Sequence, residues 1–361
     1  MPKFLLAIDQ GTTGSTISIL NLKGQPVATV NQEYRQIFPK PGWVEHKPED
    51  IWESVLSTIQ KCLRKAKAKG TEIAAMKTGL VIDPYFSASK MRWILNNVNG
   101  VRAKAENGTL AAGTIDSYLL WRLTAGQEHA TDVSNASRTL LMDISKAKWD
   151  DDLLKFFHVP KALLPEIRDS AGFFGETKGL KVLPDGIPIT GIAGDQQAAL
   201  FGQTCFEEGE SKCTFGTGSF LLINSGKKRI HSKSGLLTTA AWRLKGEEMT
   251  YALEGGAFIC GAAVQFLRDQ LGFIKSSKDI ETLAREVKSA EGVEFVPALA
   301  GLGAPHWNPH ARGIICGLTR GTTRGHIARA TLEAMALQNT EILIAMQKDL
   351  GRDLKDVRVD G

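Results

Sequence analysis

Two short glycine–threonine turns are the first places where this sequence could do chemistry. Gly11-Thr12-Thr13-Gly14 follows the apolar run KFLLAID, and Gly216-Thr217-Gly218 lies between SKCTF and SFLLIN. Successive backbone N–H groups in such a turn converge on an anion, and threonine hydroxyls add donors without adding charge. Glycine suits the approach because a Cβ would hold a phosphate away. Either turn alone reads more readily as an ordinary hairpin bend. As a pair on two similar units, they read as a phosphate clamp. Asp9 closes the first apolar run immediately before the first turn. A carboxylate there either holds Mg²⁺ against phosphates, usually through water, or caps the turn. Asp195 follows IPITGIAG, and Gln196-Gln197 opens a helix. It reads either as a helix N-cap or as the base that takes the proton of an attacking alcohol. Two phosphate loops, a magnesium carboxylate and a base together describe phosphoryl transfer. His46, His306 and His310 have no partner at metal-ligand spacing and read as structural.

The elements that must position these groups follow from the pattern around them. KFLLAID, the alternating STISILNL and VATVNQEY are joined by tight turns and predict an antiparallel meander. Pro48, Glu49 and Asp50 open a long helix whose apolar stripe runs from Ile51 to Leu63, with Gly70 as its stop. Its basic run, Lys61, Arg64, Lys65, Lys67 and Lys69, reads as a solvated face that complements the helix dipole. Thr71–Met76 then begins like a strand that Lys77-Thr78-Gly79 cuts short. Helices are expected at 87–98 and 115–123, with Ser87 and Asp116 as caps, and at 258–271, 279–288 and 325–349. Short strands are expected at 293–296 and 357–360. The two glycine turns sit at matching points, each between apolar strands. This echo predicts a duplicated α/β unit, one copy per domain, with a cleft between.

Composition bounds the class. The chain has 361 residues with 44 basic and 39 acidic side chains, a formal charge of +5. At roughly 100–200 residues per domain this length predicts two domains. A hydrophobic fraction of 43% with 23% charged residues excludes a disordered chain. No apolar run reaches the roughly 18 residues of a membrane span, and the well-mixed charges argue against nucleic acid as a partner. The amino terminus meets Asp9 too early for a secretory signal. Cys62, Cys205, Cys213, Cys260 and Cys316 are odd in number and lack CxxC spacing, so they read as reduced, buried thiols of a cytoplasmic protein. Glycine is the outlier at 36 residues, about a tenth of the chain against a usual ~7%, and that excess belongs to turns and ligand loops.

The segments DQGTTGS (9–15), PGWVEH (41–46), TGLVIDPYFSASK (78–90), NASRT (135–139), GIAGDQQAALFGQ (191–203), FGTGSF (215–220), GLLTT (235–239), YALEG (251–255), GLGAPHWNPHARGIICGLTRG (301–321) and VRVDG (357–361) resemble the FGGY carbohydrate kinases, and among them the glycerol kinases. The resemblance runs from Phe4 to Gly361. It implies two actin-like (ribonuclease H-like) α/β domains, at 1–203 and 204–361, that close on ATP and substrate. It implies ATP-dependent phosphorylation of glycerol or a similar small polyol to its phosphate ester, with ATP and Mg²⁺ required. By the same resemblance Asp9 and Asp195 lie near magnesium, and Asp195 is the base. Thr12 and Thr13 belong to the first phosphate loop and Thr217 to the second. Gly261, Val264 and Gln265 match a nucleotide-side helix, while Tyr85, Asp195, Gln196 and Phe220 match positions facing glycerol. A homo-oligomer is among the expected partners.

The chain also departs from that family. There, the strand after the first long helix continues into an Asn-Gln-Arg-Glu motif and a Trp-Gln segment, whose Arg-Glu pair and Trp hold glycerol. Here Met76 joins directly to Lys77-Thr78-Gly79. The first phosphate loop of the family ends in arginine, where this chain has Thr16. The family also continues past VRVDG into an adenine-binding segment. Both domains are therefore expected to be incomplete, with sheet edges left open at the missing block and activity impaired. An inactive remnant with weak nucleotide binding, and a kinase of another polyol or sugar, stand as the alternatives.

Overall fold

In the computed structural model, the described residues are 4–11, 13–21, 25–37, 39, 45–66, 73–80, 87–308 and 310–361. Thr12 and Tyr85 lie outside them, as do the expected helix stop at Gly70 and the basic residues Lys67 and Lys69. Contacts divide the chain into two compact units. The first comprises 1–198 and 240–249, and the second 199–239 and 250–361. A single cut near residue 203 therefore does not describe the contacts, because residues 240–249 return to the first unit.

The first unit is built on strands β1 (Phe4–Gln10), β2 (Gly14–Asn21) and β3 (Pro26–Glu33), the expected meander, followed by helix α1 (Pro48–Lys65) and strand β4 (Ile73–Leu80). Later come α2 (Ile115–Leu123), β5 (Ala171–Glu176), β6 (Pro188–Ile192) and α3 (Asp195–Gly202). The sheet order is β3-β2-β1-β4-β6-β5. β1 and β4 are parallel, as are β4 and β6, while the other neighbours are antiparallel. Alternating Leu6, Ile8, Ile17 and Ile19 turn inward onto Val55 and Ile59 of α1 and Leu119 and Leu123 of α2, which together form the main core. Pro48 holds the first turn of α1, Glu49 and Asp50 follow it, and Arg64 and Lys65 close the last turn. The helix face is pinned to the meander: the Cys62 thiol contacts the carbonyls of Ile17 and Ala28, and Lys65 Nζ donates to Thr29 O at 3.0 Å.

β4 corrects the sequence expectation most directly. The strand does not stop at Met76 but continues through Lys77, Thr78 and Gly79 to Leu80. Ile8 and Asp9 of β1 pair with Thr78 and Gly79, and Gly191 and Ile192 of β6 pair with Lys77 and Thr78. The residues after Met76 complete the strand, so both neighbouring edges are hydrogen-bonded and no edge is left open there. A second correction concerns Asp116, which lies inside α2 and does not cap it. The N-cap position is Thr114, and Asp116 is fully buried.

The second unit repeats the plan. Strands β7 (Ser211–Phe215), β8 (Ser219–Gly226), β9 (Leu237–Trp242, whose residues from Ala240 on are counted with the first unit) and β10 (Thr250–Ala257) precede helices α4 (Gly261–Asp269) and α5 (Arg324–Leu350) and strand β11 (Val357–Asp360). The sheet order is β9-β10-β8-β7-β11, with β7 and β11 parallel. In each unit a first strand is flanked by an antiparallel hairpin partner on one side. On its other side lies a parallel strand that follows a long helix. Cys213, Leu221, Ile223 and Leu253 pack against Ile342 and Met346 of α5. Four cysteines are buried as expected, while Cys316 is exposed. Among the described residues no helix is long and apolar enough to cross a membrane.

Candidate active site

Asp9 stands near the carboxyl end of β1, in register with Thr16 of β2 and Gly79 of β4. Its surface is exposed. The protein packed around it nevertheless desolvates the carboxyl and pushes its pKa up. The turn that follows is closed by the Gly11 N–H donating to Gly14 O at 2.9 Å. Buried Gln10 braces it from beneath. Its Nε2 donates to Gly11 O and to Tyr34 Oη, both at 3.1 Å, and its Oε1 accepts from Ser15 Oγ at 2.6 Å. Tyr34 N donates to Thr13 O at 3.1 Å and Tyr34 Oη to Gly11 O at 2.5 Å. Thr13 is exposed. The two turn glycines serve different ends. A Cβ on Gly14 would lie 2.8 Å from Gln32 O, so strand packing alone already requires this glycine. Among the described residues, a Cβ on Gly11 would meet Gly14 O alone, at 3.4 Å, an ordinary van der Waals contact.

Asp195 is delivered by β6, at the same end of the sheet as Asp9, and opens α3 half-buried. Gln196 Nε2 donates to Asp195 Oδ2 at 2.9 Å. The preceding residue, Gly194, donates its N–H to Ser134 Oγ at 2.8 Å. Ser134 Oγ donates in turn to buried Asp132, which also accepts from Ser170 Oγ. Asp132, Ser134, Gln10 and Tyr34 had no assigned role in the sequence. Asp132 did carry one readable signal, an aspartate two and three residues before Ser134 and Asn135, as an N-cap requires.

In the second unit, the Gly216 N–H donates to Gly218 O at 2.8 Å, the counterpart of the Gly11–Gly14 closure. Gly218 cannot carry a Cβ, which would sit 2.5 Å from Ala257 O. The start of α4 is tied to this turn: Gly261 N donates to Gly216 O at 2.9 Å, and Cys260 N and Ala262 N donate to Thr217 O at 2.8 and 3.0 Å. Thr217 and Gln265 are exposed, and Phe220 is half-buried on β8. Val264 packs in a cluster with Leu267, Ile280 and Ala328, so its side chain serves the core. His306 pairs with Glu341 at 3.0 Å, His310 N donates to Asn308 Oδ1 at 3.0 Å, and His46 packs edge-on to Tyr34. No group of three or more metal-ligating side chains occurs among the described residues.

In the first unit, then, one carboxylate stands near the carboxyl end of β1, followed by a glycine turn, and a second follows the carboxyl end of β6 in the same sheet. The FGGY carbohydrate kinase profile for the N-terminal domain matches residues 4–76 and 70–202, and that for the C-terminal domain matches 211–361. The chain belongs to the FGGY family of carbohydrate kinases. Glycerol kinase from Bdellovibrio bacteriovorus is 58% identical over 410 positions, covering 100% of this chain and 83% of that protein. Glycerol kinase from Myxococcus xanthus is 49% identical, covering 99% and 82%. The solved structure of Plasmodium falciparum glycerol kinase with ADP superposes with a TM-score of 0.87 at 33% identity, covering 99% of this chain and 81% of that one. Gluconate kinase from Lactobacillus acidophilus, at 20% identity and a TM-score of 0.85, shares the fold. As an FGGY kinase, the chain is shorter within the match. The first of these alignments spans 410 positions against 361 residues, which leaves about 49 with no residue of this chain opposite them. The N-terminal profile breaks into its two stretches at residues 70–76, beside the Met76–Lys77 junction.

Proposed function

We propose that the chain transfers the terminal phosphoryl group of ATP to glycerol, giving glycerol 3-phosphate and ADP. The observation that carries this reading is the placement of Asp9 and Asp195 at the carboxyl ends of β1 and β6, the two strands that flank β4. In the reaction, the glycerol hydroxyl oxygen forms a bond to the γ-phosphorus, the bond from that phosphorus to the bridging oxygen of ADP breaks, and the hydroxyl proton passes to the Asp195 carboxylate. Tyr85, Gln196 and Phe220 are the proposed glycerol contacts, aromatic faces covering carbon and the amide binding hydroxyl. Thr12 and Thr13 would bind phosphate in the domain at 1–203. Thr217 would do so in the domain at 204–361, where Gly261, Val264 and Gln265 would lie along the nucleotide. Val264 would then contribute through its backbone, because its side chain is in the core. The donor chemistry fits Mg²⁺. A desolvated carboxylate at Asp9, with Asp195 near the same sheet end, matches an ion that keeps several waters and takes one or two carboxylates. Magnesium, when bound with the nucleotide, supplies positive charge opposite the phosphate oxygens.

The absent positions beside Met76 and the lack of a cation at Thr16 support a slower enzyme with weaker hold on glycerol. The same absence supports a second reading, a related polyol or sugar as the acceptor. We place the protein in the cytoplasm and expect it to form a homo-oligomer. The test is ADP release by the purified chain. Release should require glycerol and fall by about 10²–10⁴-fold in Asp195→Asn. Faster turnover on another polyol or pentose would replace glycerol as substrate. Folded protein without turnover on any alcohol would overturn the kinase assignment in favour of a non-catalytic nucleotide binder.

A further inference from the structure

The bend that presents Asp195 is held at both ends. The Ile192 N–H, at the end of β6, donates to Ser170 O at 3.0 Å. The Gly194 N–H, one residue before Asp195, donates to Ser134 Oγ at 2.8 Å. Both of those serines answer to one buried oxygen: Ser134 Oγ donates to Asp132 Oδ2 at 2.7 Å and Ser170 Oγ donates to it at 2.6 Å. We infer that Asp132 and Ser134 are positioning residues for Asp195, fixing the peptide that aims its carboxylate at the acceptor hydroxyl. This inference rests on the reading of Asp195 as the base.

The chemistry of a hydroxyl explains why both residues are needed. Ser134 has one proton to give, and the carboxylate takes it. Its oxygen is thereby left as an acceptor, the role that the Gly194 N–H requires. Without the carboxylate, the hydroxyl could rotate and present its proton to the glycine amide. Asp132 itself is fully buried and accepts five donors: Ser134 N, Ser134 Oγ, Asn135 N, Asn135 Nδ2 and Ser170 Oγ. Burial pushes its pKa up, and the bonds from Ser170, Asn135 and Ser134 oppose that shift. Capping the short helix Val133–Ala136 accounts for only the two backbone donors. The two serine hydroxyls are additional, and each belongs to a residue that grips one end of the Asp195 bend. Ser170 is fixed in turn by donating its N–H to Arg243 O at 2.8 Å.

The test compares Ser134→Ala, Ser134→Cys and Ser134→Thr in the full chain by amide hydrogen exchange at Gly194 and by steady-state kinetics. In Ser134→Ala, exchange at Gly194 should accelerate about tenfold, and kcat should fall about tenfold with KM for ATP within twofold of the parent. Thr should restore both, and the weaker acceptor Cys should fall between, which also covers an alanine variant that fails to fold. A purely structural role would lower thermal stability without this kcat-against-KM split or its recovery by Thr. Unchanged exchange at Gly194 in Ser134→Ala, or a kcat loss that Thr does not recover, overturns the inference. Parental turnover in Asp195→Asn would instead remove the base assignment, while the exchange series still decides whether Ser134 holds the bend. If the parent shows no turnover, that series alone decides the positioning of Asp195.

Discussion

Asp116 shows how one buried carboxyl makes stability depend on pH. Its Oδ2 accepts from Thr131 Oγ1 at 2.6 Å, while its Oδ1 has no hydrogen-bond partner among the described residues. Burial, reinforced by the Asp132 charge, pushes its pKa from 3.8 up to about 7. The folded state therefore holds this proton more tightly than the unfolded chain. The stability it contributes is full below pH ~4 and is lost as pH rises towards about 7. Asp116→Asn should keep the Thr131 bond and remove the titration. Its melting temperature should exceed that of the parent at pH 8, by an amount worth a few kcal/mol, and match it near pH 4. Equal melting curves at both pH values would show that Asp116 is not desolvated as described. The candidate residues were legible to differing degrees. Asp9 and Asp195 stand out in sequence because each ends an apolar run beside glycine. Ser134 does not, and Asp132 shows only its N-cap spacing, because the contacts that tie them to the Asp195 bend are made with Ser170 and Gly194, which are distant in the chain.

Among the elements, β4 carries the main discrepancy between sequence and structure. Thr71–Met76 looks interrupted because Lys77-Thr78-Gly79 lacks apolar character. A strand flanked on both sides is held by ladder hydrogen bonds, and the backbone of those residues makes them whatever their side chains. Thr78 lies in register with Ile8 on one side and Ile192 on the other. Thr78→Pro removes a donor from the middle of this sheet and should destabilise the first unit by more than the ~1 kcal/mol typical of a point substitution. Calorimetry would read this as a lowered transition. An unchanged one would mean that the segment is not a central strand. By contrast, the start of α1 was legible to the residue, while the helix ends at Lys65, before the expected stop at Gly70. Its proline start, acidic first turn and apolar stripe are local signals that act within a few residues.

For the whole molecule, the sequence echo between the glycine turns proves to be an echo of topology. Each unit closes its turn with a first-glycine N–H on a later glycine carbonyl, and each pairs its first strand with a parallel one after a long helix. The two cores are separate clusters, one around Ile17 and one around Leu253. Ile17→Ala and Leu253→Ala should each cost about 2–5 kcal/mol. In calorimetry, each should lower a different one of two transitions. Equal displacement of a single transition by both would show that the units unfold together.

The sequence by itself determined the kinase family, the first meander and the amphipathic helices, and it singled out Asp9 and Asp195 as candidates, because these depend on periodicity, capping and motif identity over short spans. Only the tertiary structure decided that β4 is continuous between β1 and β6, that Asp116 is interior, that Gly14 serves strand packing, and that Asp132 holds the Asp195 bend through two serines. Each of those outcomes depends on which backbone groups meet across tens of residues. Such pairing is fixed by hydrogen-bond satisfaction in a packed sheet, and local side-chain pattern does not encode it.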